Sequence, residues 1–302
     1  MSDRMFAKLC IALIGTLMVS GAAFARPAQA AQLRAKYASL ADSLRNNPYK
    51  RPLHIESTET DSTLKGDVYG VIPYPFAAVS AALTEAASWC DILILPVTTK
   101  SCRVTRASRE ETTLSIHVGL KYEQLLRDAF PIEFAYRVGV NTAEYFAVGL
   151  DAEIGPLSTR DYKVLVEVIP VENGKTFLHL RYAYGFGMAG RLAMQAYLAT
   201  LGASKVGFSS TAGTLTGGTR GVIERNAMRF FLSIDAYLAA ASSPTAEQLE
   251  RRLQVWFNSN EQYARQLHEM DREEYVAMKR REIQRQRAPQ EAARPQPASA
   301  GF

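Results

Sequence analysis

Five consecutive stretches in the middle of this chain alternate apolar and polar residues with period two. Residues 112–120 set Leu114, Ile116, Val118 and Leu120 against Thr113, Ser115, His117 and Gly119. Residues 132–138 set Ile132, Phe134, Tyr136 and Val138 against Glu133, Ala135 and Arg137. Residues 144–153 oppose Phe146, Val148 and Leu150 to Tyr145, Ala147, Gly149 and Asp151. Residues 162–169 oppose Tyr162, Val164, Val166 and Val168 to Lys163, Leu165 and Glu167. Residues 176–184 oppose Leu178, Leu180, Tyr182 and Tyr184 to Phe177, His179 and Arg181. Successive side chains of a strand point to opposite faces, so each stretch has one apolar and one largely wet face. Asn173-Gly174 between the last two stretches is a strong hairpin signal, and residues 155–159 are turn-like. The run therefore predicts a one-sided antiparallel sheet.

An apolar sheet face must be covered. Residues 188–201 place Leu192, Gln195, Ala196 and Ala199 at helical spacing, and predict the cover. A Gly/Ser/Thr segment, 202–221, interrupts it, and helix resumes over 222–241. Thr245-Ala246-Glu247-Gln248 has capping-box spacing. It predicts one long helix as a C-terminal extension, 245–287, with a seam of Leu249, Leu253, Trp256, Tyr263, Leu267 and Met270. Residues 288–302, rich in Ala, Pro, Gln and Ser, predict a disordered tail. Upstream, 32–50 reads as a short amphipathic helix, 53–59 and 63–72 as extended chain, and Pro73-Tyr74-Pro75-Phe76 as the start of a helix closing at Trp89-Cys90.

The first residues combine a short basic head, an apolar run from Leu9 to Val19 and an Ala-x-Ala end. These are the parts of a secretory signal over 1–25, with cleavage after Ala30 as the alternative. The apolar run is shorter than the roughly 20 residues a spanning helix needs. The protein is thus expected in the periplasm or outside the cell. Cys90 and Cys102 remain once Cys10 leaves with the signal, and in an oxidising compartment an isolated pair favours a structural disulfide over a metal or redox site.

The 302 residues are 47% hydrophobic and carry a net charge of +5. The surplus lies at the ends, +2 up to Ala31 and +3 from Arg272 onward, while residues 32–271 are balanced. A basic patch for nucleic acid is therefore not expected in the folded body. No zinc-site spacing involves the four histidines, no G-x-S-x-G elbow occurs, and the glycines at 213–218 lack the Lys of a phosphate loop. His117 and His179 fall on the wetter sheet face and read as solvent-facing. Glu224, Arg225, Arg229 and Asp235 read as ion pairs fixing the helix to the sheet, with contact to a ligand headgroup as the alternative. No metal or cofactor is implied, and no paired acid and base supports an enzyme.

The order of elements resembles the helix-grip fold of the START-like (SRPBCC) superfamily, as an exported bacterial member. The resemblance covers residues 53–241 within an α+β domain at 32–241. It rests on the strand Lys65-Gly66-Asp67-Val68-Tyr69-Gly70-Val71-Ile72, on Pro73 to Phe76 with Val79 and Leu83, on Trp89, on the five strands and on the helix from Gly190. It implies a curved antiparallel sheet around a C-terminal helix, enclosing a cavity for a hydrophobic small molecule or lipid. Tyr136, Phe146, Val148, Val166, Leu180, Tyr182 and Tyr184 would line it, the tyrosines orienting an amphipathic ligand. Independently of the resemblance, the glycines and hydroxyls of 202–221 and its place inside the covering helix suit a lid over a cavity mouth. The broken cover and the added helix also allow a filled cavity, and then an interaction protein docking a partner, or peripherally the membrane, through the C-terminal helix.

Overall fold

The computed structural model describes residues 22–106, 112–200 and 202–287. Almost all of the expected signal and the whole of the expected tail lie outside the described residues. Two helices lead, α1 (Ala22–Ser39) and α2 (Ala41–Arg45), followed by the hairpin β1 (Leu53–Glu59) and β2 (Thr63–Ile72). Helices α3 (Phe76–Thr84) and α4 (Ala86–Leu93) come next. The strands β3 (Thr99–Arg106), β4 (Thr112–Val118), β5 (Phe130–Asn141), β6 (Phe146–Ile154), β7 (Thr159–Val171) and β8 (Lys175–Phe186) then meander. They are followed by α5 (Met188–Ala199), a two-residue hairpin β9 (Ser210–Thr211) and β10 (Thr214–Leu215), and α6 (Gly218–Ala240). The extension holds α7 (Thr245–Glu261), α8 (Ala264–Leu267) and α9 (Arg272–Arg287).

Eight strands form one antiparallel sheet in the order β1-β2-β8-β7-β6-β5-β4-β3. The sheet holds α6, whose Ile223, Ala227, Met228, Phe231 and Leu232 are buried with Leu53, Leu64, Val68 and Ile72 of the hairpin. Two glycines let the helix come this close. A Cβ on Gly70 would stand 2.7 Å from the Phe231 ring, and one on Gly66 3.1 Å from the Ile223 carbonyl oxygen. This is the helix-grip arrangement expected from the sequence, an α+β fold with a curved sheet around a C-terminal helix.

Several details differ from the expectation. The cover is α6, starting at Gly218, whereas α5 keeps Met188 and Leu192 in solvent. The helix expected over 73–90 is two helices bent by 92° around Glu85. The sheet is covered on both faces: α1 and α2 bury Leu33, Leu40 and Leu44 against Tyr69, Tyr145, Ile169 and Phe177 on the outer one. The extension is three helices because its seam serves two cores. Tyr263 and Leu267 join the main core, while Leu253, Trp256, Phe257 and Tyr275 form their own with Leu95 and Val97. Nor does Thr245 cap α7: Pro244 takes the cap position, and the Gln248 amide donates to the Ser243 carbonyl. Among the described residues no single helix is long and apolar enough to cross a membrane.

Cys90 of α4 and Cys102 of β3 are joined in a disulfide, with Cα atoms 5.1 Å apart. It ties the edge of the sheet to the helix layer. In the chain-entropy view a loop of this size contributes about 3 kcal/mol. The paired Cys90→Ser and Cys102→Ser variant should lose about that much in urea unfolding. Native protein should show no reactive thiol at either position, and labelling of both without denaturant would contradict the bond.

Candidate functional site

A pocket of ≈ 270 Å³ opens where strand ends meet α5 and the start of α6. The β1–β2 hairpin contributes Glu59 and Leu64, β7 contributes Thr159, and β8 contributes Tyr184 and Phe186. From α5, Arg191, Met194, Gln195 and Leu198 face it, one stripe at i, i+3, i+4 and i+7. Gly218 and Thr219 of α6 complete the wall. The floor is apolar and aromatic, and the polar groups stand around the rim.

The rim is internally bonded. The Thr219 hydroxyl donates to the Glu59 carboxylate, and the Arg191 guanidinium donates to the Asp61 carbonyl while lying 5.8 Å from the centre of the Phe186 ring. Thr159 and Tyr162 share a hydroxyl–hydroxyl bond of 2.7 Å. Behind the wall, Tyr184 stacks on Tyr162 at 5.2 Å, and Tyr182 packs edge-on against Tyr184 at 5.9 Å. Burial pushes the hydroxyls of Tyr182 and Tyr184 up, so both stay protonated and available as hydrogen-bond donors.

Of the residues expected to line a cavity, Tyr184 lies on the pocket wall. Phe146, Val148, Val166 and Leu180 are buried in the core between the sheet and the helices. Tyr182 packs between Tyr162, Tyr184 and Phe230. Tyr136 donates its hydroxyl to the carbonyls of Leu83 and Thr84, at 3.2 and 2.5 Å, and so closes the end of α3. Burial pushes this hydroxyl up as well. Sequence reasoning missed Leu64, Phe186, Arg191, Met194 and Leu198. The α5 stripe that faces the pocket shares only Gln195 with the expected covering rows of Leu192, Gln195, Ala196 and Ala199.

The segment 202–221 touches the pocket only through Gly218 and Thr219. Its middle is pinned: Glu224, fully buried, accepts the backbone N–H groups of Phe208 and Ser209 and the hydroxyls of Ser57 and Ser209. Glu224 therefore makes hydrogen bonds where an ion pair was expected. Asp235 pairs with Arg51 at 3.0 Å, and Arg229 pairs with Glu269.

A second polar constellation lies on the outer face. His179 is buried, with Nε2 2.7 Å from Asp67 and Nδ1 2.8 Å from Glu167. Arg181 Nε adds a bond of 2.8 Å to Asp67, and the Tyr69 ring stacks on the imidazole at 4.4 Å. The solvent-facing reading of His179 is thus overturned, because α1 and α2 close over this part of the face. His117 is half-buried and bonds Ser101 Oγ at 3.0 Å, and burial lowers its pKa. Among the described residues no group of three His, Cys, Asp or Glu could hold a metal ion.

No family model matches the chain, and no curated protein matches it in sequence. Solved structures do resemble it in three dimensions. TTHA0849 from Thermus thermophilus is 12% identical, with 59% of this chain and 99% of that one covered and a TM-score of 0.38. Human StAR-related lipid transfer protein 5 is 9% identical, with 57% and 90% covered and a TM-score of 0.32. The Zhui aromatase/cyclase from Streptomyces is 13% identical, with 70% and 96% covered and a TM-score of 0.31. The helix-grip assignment accordingly rests on the strand order and the gripped helix themselves.

Proposed function

We propose that this protein binds a hydrophobic small molecule or lipid in the pocket beneath α5, and that it does so after export. The observation that carries this reading is the pocket itself. Its volume, ≈ 270 Å³, is just below the usual range for small-molecule sites, and its apolar floor is ringed by a few polar groups. Leu64, Phe186, Met194 and Leu198 would enclose an apolar body the size of a short acyl chain or a one- or two-ring compound. Arg191, Thr159 and the Tyr184 hydroxyl would meet its polar end. The Cys90–Cys102 disulfide supports an oxidising compartment.

The interior between the sheet and α6 favours a second reading, an interaction protein of the cell envelope. That space is filled by Met228, Phe231 and their neighbours, so a ligand would occupy only the open end. Protein recovered from its own host, denatured and analysed by mass spectrometry separates the two. A recurrent apolar compound supports binding, and repeated absence supports the interaction reading.

Leu198→Trp tests the location. The indole would occupy much of the pocket, while α5 is only lightly packed and should tolerate it. Affinity for the recovered compound, or for a fluorescent apolar probe, should fall at least about tenfold, or 1.4 kcal/mol, with the melting temperature nearly unchanged. Unaltered affinity would place the ligand elsewhere.

A further inference from the structure

We propose that Lys121, Lys205, Arg225 and Arg229 form a binding site for a phosphate-type oxyanion. Lys121 comes from the β4–β5 connection, Lys205 from the segment ahead of β9, and the two arginines stand one turn apart on α6. Lys121 and Arg229 pair with a single carboxylate, Glu269 in the α8–α9 connection, and Lys205 and Arg225 stand close enough to the other cations to feel their charge. Lys205 Nζ donates to the His268 carbonyl at 2.8 Å, and Arg225 donates to the Val206 carbonyl at 3.4 Å. Neither of these acceptors brings a negative charge. Among the described residues no other carboxylate forms an ion pair with any of the four. Four cations against one anion leave a surplus of three positive charges.

The surplus is not dispersed in water. Arg225 is 2% exposed, and the side chains of Arg229 and Glu269 are 13% and 8% exposed. Arg229 Nε is buried and has no acceptor. Burial, and then Lys121, Arg229 and Arg225, pull the Lys205 ammonium down against the opposing effect of Glu269. Buried cations repel one another strongly where the dielectric is low, and such a cluster calls for a counter-anion. Guanidinium forks match the oxygens of carboxylate and phosphate. A surplus of three favours a phosphate dianion over a monocarboxylate. Lys121, 44% exposed, and the half-buried Lys205 form an open rim through which such an anion could exchange. The site stands whether or not the pocket beneath α5 takes an apolar ligand.

The test is thermal unfolding and calorimetric titration of the full folded chain with inorganic phosphate, against chloride at matched ionic strength. A second arm uses monomeric short-chain phosphatidic acid. Phosphate near saturation should raise the melting temperature by about 6 °C. Lys205→Gln should weaken phosphate binding at least tenfold while leaving the melting temperature in chloride unchanged or higher, because it relieves repulsion. A cluster with a purely structural role would not show that split. A midpoint at least ten times lower for phosphatidic acid assigns the phosphate to a lipid headgroup, and equal midpoints assign it to the free anion. Stabilisation no greater than that by chloride, or equal phosphate affinity in Lys205→Gln and the unaltered protein, overturns the site.

Discussion

Glu282→Gln is expected to cost about 3–5 kcal/mol of folding stability. Glu282 is a buried residue of α9 and pairs with two buried ammonium groups, Lys100 of β3 at 3.1 Å and Lys279 one turn away at 2.9 Å. Lys100 also donates to the carbonyls of Val97 and Tyr122, and Lys279 to that of Thr99. These carbonyls satisfy donors but cancel no charge. Neutralising the carboxylate leaves two cations facing each other out of water. Lys279→Met, by contrast, leaves the balanced Lys100–Glu282 pair, so it should cost little or stabilise. In urea unfolding, the double variant should recover most of what Glu282→Gln loses. If Lys279→Met costs as much as Glu282→Gln, the surplus-charge account fails.

The same group predicts a dependence on pH. Burial, only partly offset by Glu282, lowers the Lys279 ammonium from 10.5 to about 8. Between these two values the unfolded chain holds the extra proton, so stability rises as pH climbs through that interval. At 1.36 kcal/mol per pH unit the gain is about 3 kcal/mol. It should appear as the difference between the unaltered protein and Lys279→Met, and a flat difference from pH 7 to 10.5 would contradict it.

His179→Ala should be nearly as damaging, about 3–5 kcal/mol. Both imidazole nitrogens face carboxylates, so the ring is held as an imidazolium between Asp67 and Glu167. Its removal leaves Asp67, 1% exposed, with Arg181 and with Lys65 at 3.5 Å, while Glu167 keeps only the Tyr145 hydroxyl. Burial lowers the His179 pKa, but the two carboxylates outweigh it and the net shift is upward from 6.5. The His179 contribution is therefore complete below 6.5 and lost as pH rises through the higher folded value. For Asp67 and Glu167, burial opposes ionisation, but hydrogen bonds and charge from His179 and others bring both below 3.8 and 4.5. Their contribution is present above those values and lost as pH falls through the lower folded ones. The network is thus strongest between pH 4.5 and 6.5. The stability difference between the unaltered protein and His179→Ala should peak in that window, and a difference independent of pH would argue against the imidazolium.

Period two made β4 to β8 legible, with ends displaced by a few residues, because one face of each of these strands meets the core. The same rule hid His179. A one-sided sheet leaves its second phase wet, but Phe177 already broke that phase, and it is this part of the face that α1 and α2 cover. Strand β3 (TKSCRVTR) escaped notice because it lies at the sheet edge and is mostly polar. The Cys102 N–H and the Thr99 carbonyl find partners in Gln286 and Lys279 of α9, which no local pattern announces. The pocket was the least legible element. Its position depends on how near α6 approaches the sheet, and that distance follows from Gly66, Gly70 and Phe231 meeting in space.

The strand order also sets the tempo of folding. Strands β3 to β8 each pair with a sequence neighbour, so that meander assembles by closing short loops. The hairpin β1–β2 forms just as locally, but its other partner is β8, with Ile72 opposite Thr176 and Thr63 opposite Gly185. More than one hundred residues separate the two sides of that seam. Distant pairings bear the largest closure entropy and slow the search. The surface that receives α6 is therefore completed late, after two preformed pieces meet, and the gripping helix is among the last elements to settle.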